Sequence, residues 1–326
     1  MDKIAFISGG TFIYWSSIIL ALAAVTAIAI YAAAYLGKDG KVTGLAVSIP
    51  VAMALSLVLG RFIHWYSRAD AYESLEAAMQ PFSAGSYALM GAFIGCLIAA
   101  CLVRLVRLTD NLPKMLDAMA LGGAAGISVG RLASLFNASD RGVVIPESIG
   151  FPFAYPVVNE VSGVVENRLA TFMIQSMLTG GILVLLLLFM LISRIMKKKI
   201  ADGDVCLLFL VAYGACQIVC DSTRYDSLFL RSNGFISIVQ ILGLVGLLVP
   251  LVVFSVRMVI NRGFRVWFVP LWLLTAGLLG GAGYMEYHVQ RHGDQAVFAY
   301  SVMSGCLLVV VLLCILMRGL GQKKEN

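Results

Sequence analysis

The chain has 326 residues, 60% of them hydrophobic and only 13% charged, with a mean hydropathy of +0.91 and a net charge of +6. A soluble fold cannot bury that much apolar surface, so composition excludes a soluble globular protein and implies a polytopic membrane protein. No basic run is interleaved with aromatics on a soluble face, which excludes nucleic acid as a partner.

Nine apolar stretches are long enough to cross a bilayer: 11–36, 43–65, 84–104, 114–136, 170–193, 203–221, 234–256, 266–284 and 296–317. The predicted fold is all-α, a polytopic membrane helical bundle of about nine transmembrane helices. The first ten residues lack a basic leader and the first apolar run is too long for a signal peptide, so that run is expected to remain as an anchor. The connection 69–83 carries Asp70, Glu73 and Glu76 and reads as a short surface helix. The connection 138–169 is the longest, and long connections in compact proteins are often functional. It contains Phe151-Pro152-Phe153-Ala154-Tyr155-Pro156, a stiff apolar segment expected to lie along the membrane surface. The seven cysteines, Cys96, Cys101, Cys206, Cys216, Cys220, Cys306 and Cys314, all fall in apolar runs. They read as small buried hydrophobes, with neither metal-site spacing nor a disulfide framework. No metal or cofactor is expected.

Alternate connections hold 15 of the 24 basic residues, among them Lys38, Lys41, Arg104, Arg194, Lys197, Arg262 and Lys324; the opposite side holds 7. By the positive-inside rule this predicts the N-terminus outside and the C-terminus in the cytoplasm.

Polar groups within the spans are few. Gly122, Gly123, Gly126 and Gly130 lead to Arg131 in the stretch 114–137, where small residues permit close helix packing. A guanidinium there needs an anionic partner or a wet cavity, unless it snorkels to the interface. Ser134 and Asn137 follow it, and Arg61 and His64 close the second stretch. Tyr213, Gln217, Asp221 and Arg224 are spaced four, four and three apart, which predicts one helix face. In the predicted orientation these groups sit toward the outer ends of their spans. Three arginines, 61, 131 and 224, against Asp221 leave a positive excess suited to a phosphate, because arginine presents a planar fork of donors. Two other readings stay open: an ion pair of Asp221 with Arg224 or Arg131 that only fixes packing, and His64 as a satisfied core histidine.

At these residues the chain resembles the bacterial phosphatidylglycerol–prolipoprotein diacylglyceryl transferase family, whose signature is written G-R-x-G-N-F-x-N-x-E-x-x-G. Gly130, Arg131, Asn137 and Gly142 stand in register with it, and Asp117 matches a family aspartate at the same spacing. Gly60-Arg61 resembles the family's second-helix G-R-I-G-Y, and Phe151-Pro152-Phe153-Ala154 its F-P-F-A. Tyr213-Gly214, Asp221 and Arg224 resemble Y-G-x-x-R-x-x-x-E-x-x-R, and the run 237–242 resembles S-M-G-Q-I-L. The resemblance covers about residues 10–257. Ser134 stands at the signature asparagine, Ser139 at its glutamate, Gln217 at the sixth-helix arginine, Asp221 at the glutamate there and Met90 at the family's histidine.

The resemblance implies two parts, a transferase-like membrane domain over 1–260 and two additional helices with a short basic tail over 261–326. It implies transfer of a diacylglyceryl group from phosphatidylglycerol to the lipobox cysteine of preprolipoproteins in the bacterial cytoplasmic (inner) membrane. The partners it implies are phosphatidylglycerol, lipobox-containing preprolipoproteins and membrane lipid. On this reading Arg131, Asp221 and Arg224 are catalytic, and Arg61, Ser134, Asn137, Gly142, Tyr213 and Gln217 bind substrate. With Met90 at the histidine's place, His64 is the candidate base, since imidazole titrates near neutral pH. A catalytically inactive lipid-binding relative and a membrane transporter are the alternatives. A transporter predicts broken helices in repeated halves, and no internal repeat is evident.

Overall fold

Almost every apolar run folds as a helix, because a chain in lipid must satisfy its backbone within itself. The structure, a computed structural model, describes residues 3–9, 11–80, 86–109, 111–137, 140–145, 152–158, 163–230, 233–293 and 295–322. Phe151, Ser139, Arg231, Lys323, Lys324 and the end of the acidic connection at 81–83 lie outside the described residues. The long helices are α1 (Trp15–Leu36), α2 (Val42–Ser67), α4 (Leu89–Leu105), α5 (Leu112–Arg131), α6 (Thr171–Ile195), α7 (Asp204–Ser222), α8 (Ile238–Arg262), α9 (Phe268–His292) and α10 (Ala296–Leu320). Eight of them are long and apolar enough to cross a membrane, and α4 is a shorter apolar helix of 17 residues. The protein is therefore an all-α multi-pass membrane protein. The acidic connection forms a 3-10 turn at Ala69–Ala71 and a short helix, α3 (Leu75–Met79), capped by the Ser74 hydroxyl.

Two stretches depart from the predicted helices and loops. Ile4–Ser8 (β1) and Thr11–Tyr14 (β2) pair as an antiparallel hairpin, so α1 begins at Trp15, four residues later than expected. Gly-Gly between two short runs of β-branched and aromatic residues is a hairpin signal that hydropathy does not register. In the long connection, Ala154–Val158 (β3) pairs with Val165–Leu169 (β4) from Ala154 opposite Leu169 to Val158 opposite Val165. The end of the stiff apolar segment, Ala154 to Pro156, thus belongs to a β-ribbon. Pro156 fits because a two-stranded ribbon leaves outward positions that need no N–H.

The chain divides into two compact units, one of 1–209 with 224–231 and one of 210–223 with 232–326. In the first, α1 packs on α5, α2 on α4 and α5 on α6. Tyr31, Tyr35, Leu45, Ala100, Val103, Met115 and Ala118 form one of its cores. Its buried hydroxyls are paired: Tyr31 with Ser48 at 2.7 Å, and Tyr35 donating to Thr109 at 2.9 Å. Asp117 on α5, 1% exposed, accepts the backbone N–H groups of Gly203 and Cys206 and pairs with Lys38 at 3.3 Å. It thereby caps the start of α7 with charge of the favourable sign. In the second unit, α8, α9 and α10 pack together.

Small residues set the closest approaches. A Cβ on Gly91 would stand 2.1 Å from the Gly60 nitrogen, and one on Gly122 would stand 2.6 Å from the Ala27 carbonyl oxygen. Overpacking of this kind costs about 1–3 kcal/mol, and here the obstacle is backbone. Gly91→Ala is therefore expected to lower the thermal unfolding midpoint in detergent; an unchanged midpoint would show that α2 and α4 can part freely.

Candidate functional site: an arginine–aspartate cluster at the end of α5

Arg131 is the last residue of α5, so it lies at a helix end rather than deep in the span. That end carries negative partial charge, which favours a cation. A 3-10 turn, Leu132–Leu135, continues the chain and buries Ser134. Asp140 then adopts φ 59°, a left-handed conformation that aspartate tolerates better than most residues. This turn points its carboxylate back at the helix end. Oδ1 of Asp140 accepts from Nη1 of Arg131 at 2.8 Å and from Nη2 of Arg224 at 2.6 Å. Oδ2 accepts the Ser134 hydroxyl at 2.9 Å. Asp226 completes the cluster: its Oδ2 takes the Asp140 N–H at 3.0 Å, and its Oδ1 takes Nε of Arg224 at 2.9 Å.

The backbone holds these side chains in register. Gly142 forms a β-bridge with Arg224, and its N–H donates to the Leu169 carbonyl at 2.8 Å. Val144 bridges Arg168, and the Tyr225 N–H donates to the Arg141 carbonyl at 3.2 Å. The segment 140–145 thus runs between β4 and the 224–226 turn. Arg141, 2% exposed, donates through Nη2 to the carbonyls of Ser134 at 2.7 Å and Asn137 at 2.8 Å. Its guanidinium also lies in the corner between the mutually perpendicular rings of Tyr155 at 4.3 Å and Phe172 at 4.4 Å, a favourable cation–π arrangement. Arg168 pairs with Glu166 at 2.8 Å and lies over the Tyr225 ring.

Burial by itself would raise the Asp140 carboxyl, but the charges of Arg131 and Arg224 and the Ser134 hydroxyl outweigh it and hold the group well below the usual carboxylate range. Burial pulls the Arg141 guanidinium down from its ordinary value, against the pull of Tyr155 and Asp140. Arg131, Arg141 and Arg224 against Asp140 and Asp226 leave one net positive charge. The positive excess read from the spans is therefore smaller in the structure, because both aspartates lie in connections.

Sequence reasoning brought Arg131, Ser134 and Arg224 together, and the structure joins all three through Asp140. Arg224 was expected on the face of α7, but the helix ends at Ser222 and Arg224 sits in the bridge to Gly142. Asn137 is exposed, and its backbone carbonyl is what holds Arg141. Arg61 and His64 belong to a second group. Arg61, 3% exposed, donates to the carbonyls of Ala78 at 2.6 Å and Ser86 at 3.3 Å, with the rings of Tyr72 and Tyr87 about it. Half-buried His64 shares a hydrogen bond of 2.8 Å with the Tyr72 hydroxyl. Tyr213, Gln217 and Asp221 share one face of α7 and are buried in the second unit, where Asp221 accepts the Ser237 hydroxyl. Asp140, Arg141, Tyr155 and Asp226 were missed. The available signal was Asp140, one position past the place of the signature glutamate. Among the described residues, no group of three or more histidine, cysteine, aspartate or glutamate side chains has the geometry to hold a metal ion.

Many apolar helices and a buried cluster of arginines and aspartates at a helix end define a multi-pass membrane protein with fixed cationic forks. The family model for prolipoprotein diacylglyceryl transferase matches residues 3–256, and the chain belongs to that family. It is similar to proteins named phosphatidylglycerol–prolipoprotein diacylglyceryl transferase from three bacteria. Identity is 26% to the one from Finegoldia magna, covering 74% of this chain and 92% of that protein. It is 30% to the one from Gloeobacter violaceus, over 50% and 60%, and 22% to the one from Clostridium novyi, over 77% and 94%.

Proposed function

We propose that this protein transfers a diacylglyceryl group from phosphatidylglycerol to the cysteine thiol of lipobox-containing preprolipoproteins, in the bacterial cytoplasmic (inner) membrane. In this reading the N-terminus is outside and the C-terminus cytoplasmic. Residues 1–260 are the transferase domain, and 261–326 add two helices. The thiol loses its proton, its sulfur bonds to the glyceryl carbon, the bond from that carbon to the phosphate oxygen breaks, and glycerol phosphate leaves. Thiolate is the nucleophile. Negative charge grows on the departing phosphate, so cationic donors already in place lower the barrier.

The observation that carries the reading is Asp140 between Arg131 and Arg224 in a chain of this family. One carboxylate fixes two guanidiniums before any lipid arrives, and each guanidinium has five donors. Asp140 serves here as the acid of the signature, displaced by one position from Ser139. Arg131 and Arg224 are the phosphate clamp. Ser134, Asn137 and Gly142 shape the cluster. Arg61 holds the Ala78 and Ser86 carbonyls beside His64. For Tyr213 and Gln217 the substrate-binding role, and for Asp221 the catalytic role, implied by family resemblance remain the proposal, and His64 is the proposed base.

The test is purified protein given phosphatidylglycerol and a lipobox peptide, with release of glycerol phosphate as the readout, and restoration of lipoprotein modification in cells depleted of the usual enzyme. His64→Ala is expected to lower turnover on the order of a hundredfold, the low end of general-base catalysis. Full activity in that variant would remove His64 from the mechanism. Met90, 5% exposed where the family has histidine, favours a second reading, a relative that binds lipid without turning it over. Lipid binding with no glycerol phosphate released would establish that second reading.

A further inference from the structure

The helices beyond the matched family span carry a carboxylate into the protein's interior. Glu286 of α9 is 8% exposed, in a helix apolar enough to cross a membrane. An ionisable group there is costly and calls for a function. Its Oε1 accepts Nε2 of Gln240 at 2.7 Å and Nε2 of Gln290 at 3.1 Å. Gln240 is the N3 residue of α8. Because its amide nitrogen faces Glu286, its Oε1 must face the other way, and it accepts the Ser237 N–H at 3.0 Å. The Ser237 hydroxyl accepts the Gln240 N–H at 2.9 Å and so has its one proton available to donate, which goes to Asp221 Oδ2. Glu286 thereby sets the Gln240 amide, the amide completes the capping box, and the capping serine orients Asp221.

A second arm reaches the same place. Nε2 of Gln290 and the Tyr300 hydroxyl of α10 both donate to the Ser222 carbonyl, at 3.5 and 3.2 Å. Ser222 is the neighbour of Asp221 and the last residue of α7. The added helices thus fix Asp221 on both sides, through its side chain and through the next carbonyl.

We propose that Glu286 is a positioning residue for the transfer reaction, acting through Gln240 and Ser237 to hold the Asp221 carboxylate, and that α9 and α10 serve to supply it. This rests on the transferase reading above. The experiment is a double-mutant cycle on the full chain, Glu286→Leu against Asp221→Asn, read as kcat and KM for glycerol phosphate release. Glu286→Leu is expected to lower kcat about tenfold in the wild-type background and less than about twofold with Asp221→Asn, since residues acting in one network are not additive. Glu286→Gln keeps an acceptor for Gln240 and is expected to restore kcat to within about threefold of wild type. Effects that multiply, or a glutamine variant as impaired as leucine, overturn the proposal. If the leucine variant does not fold, Glu286→Met, close in shape to glutamate, takes its place in the cycle. Wild-type protein that releases no glycerol phosphate overturns the transferase reading instead. The same cycle is then read on affinity for vesicles of phosphatidylglycerol in phosphatidylcholine, where additive effects would overturn the role of Glu286.

Discussion

Asp140→Asn is expected to cut glycerol phosphate release by roughly 10²–10³-fold, the scale seen when one preplaced electrostatic partner is lost from a reaction site. Asparagine is the informative substitution because it also tolerates the left-handed conformation at φ 59°, so the backbone turn survives while the charge does not. With the charge gone, Arg131 and Arg224, each 12% exposed in its side chain, face one another across a neutral amide. Breaking a buried ion pair from one side costs about 3–5 kcal/mol, and Arg224, which keeps its contact with Asp226, limits the loss. The thermal midpoint should fall with activity. The pH dependence separates this effect from a general loss of fold. The folded-state carboxyl lies below its unfolded value of about 4, so its contribution is fully present above that value and is lost only as pH falls through the lower, folded one. The deficit of the Asn variant should therefore be constant from about pH 5 to pH 8. A deficit that shrinks across that interval would show that Asp140 is not ionised in the working protein.

Arg224→Lys is expected to be nearly as damaging, with kcat reduced about a hundredfold although the charge is kept. Arg224 reaches Asp140 through Nη2 and Asp226 through Nε, at 2.6 and 2.9 Å, so its plane is set by two carboxylates at once. An ammonium is a point charge without that fork and cannot reproduce both contacts with the same geometry. The backbone bridge from position 224 to Gly142 does not depend on the side chain, so folding should survive. Adding Asp226→Asn to the lysine variant should cost little more, since the contact it removes is already broken. Kinetics of the wild type, the lysine variant and the double variant decide the matter. A lysine variant within about threefold of wild type would mean that charge near the phosphate suffices and the fork does not matter.

The helices were legible because hydropathy reports the one property that membrane spans share. Arg131, Ser134 and Arg224 were legible as a set because polar residues in apolar runs are conspicuous. The ribbon was not, since a run such as Phe-Ala-Tyr-Pro-Val-Val is apolar whether it lies on a membrane or pairs with a strand. Asp140 and Asp226 are not legible for a related reason: an acid in a connection looks solvated until the connection folds back over a helix end. Counting residues past Asp221 puts Arg224 on the α7 face, and spacing carries no sign that the helix stops at Ser222. Glu286 lies just past the apolar stretch 266–284, and its partner Gln240 is far away in sequence, on another helix.

The left-handed turn at Asp140 bears on how relatives of this protein are compared. Aligned column by column, the chain has serine where the signature has its acid, and the motif reads as eroded. In space, an acid stands between two arginines, one position downstream, with its backbone in the left-handed region. In relatives that lack the acid at that column, an aspartate one step downstream would fill the same place.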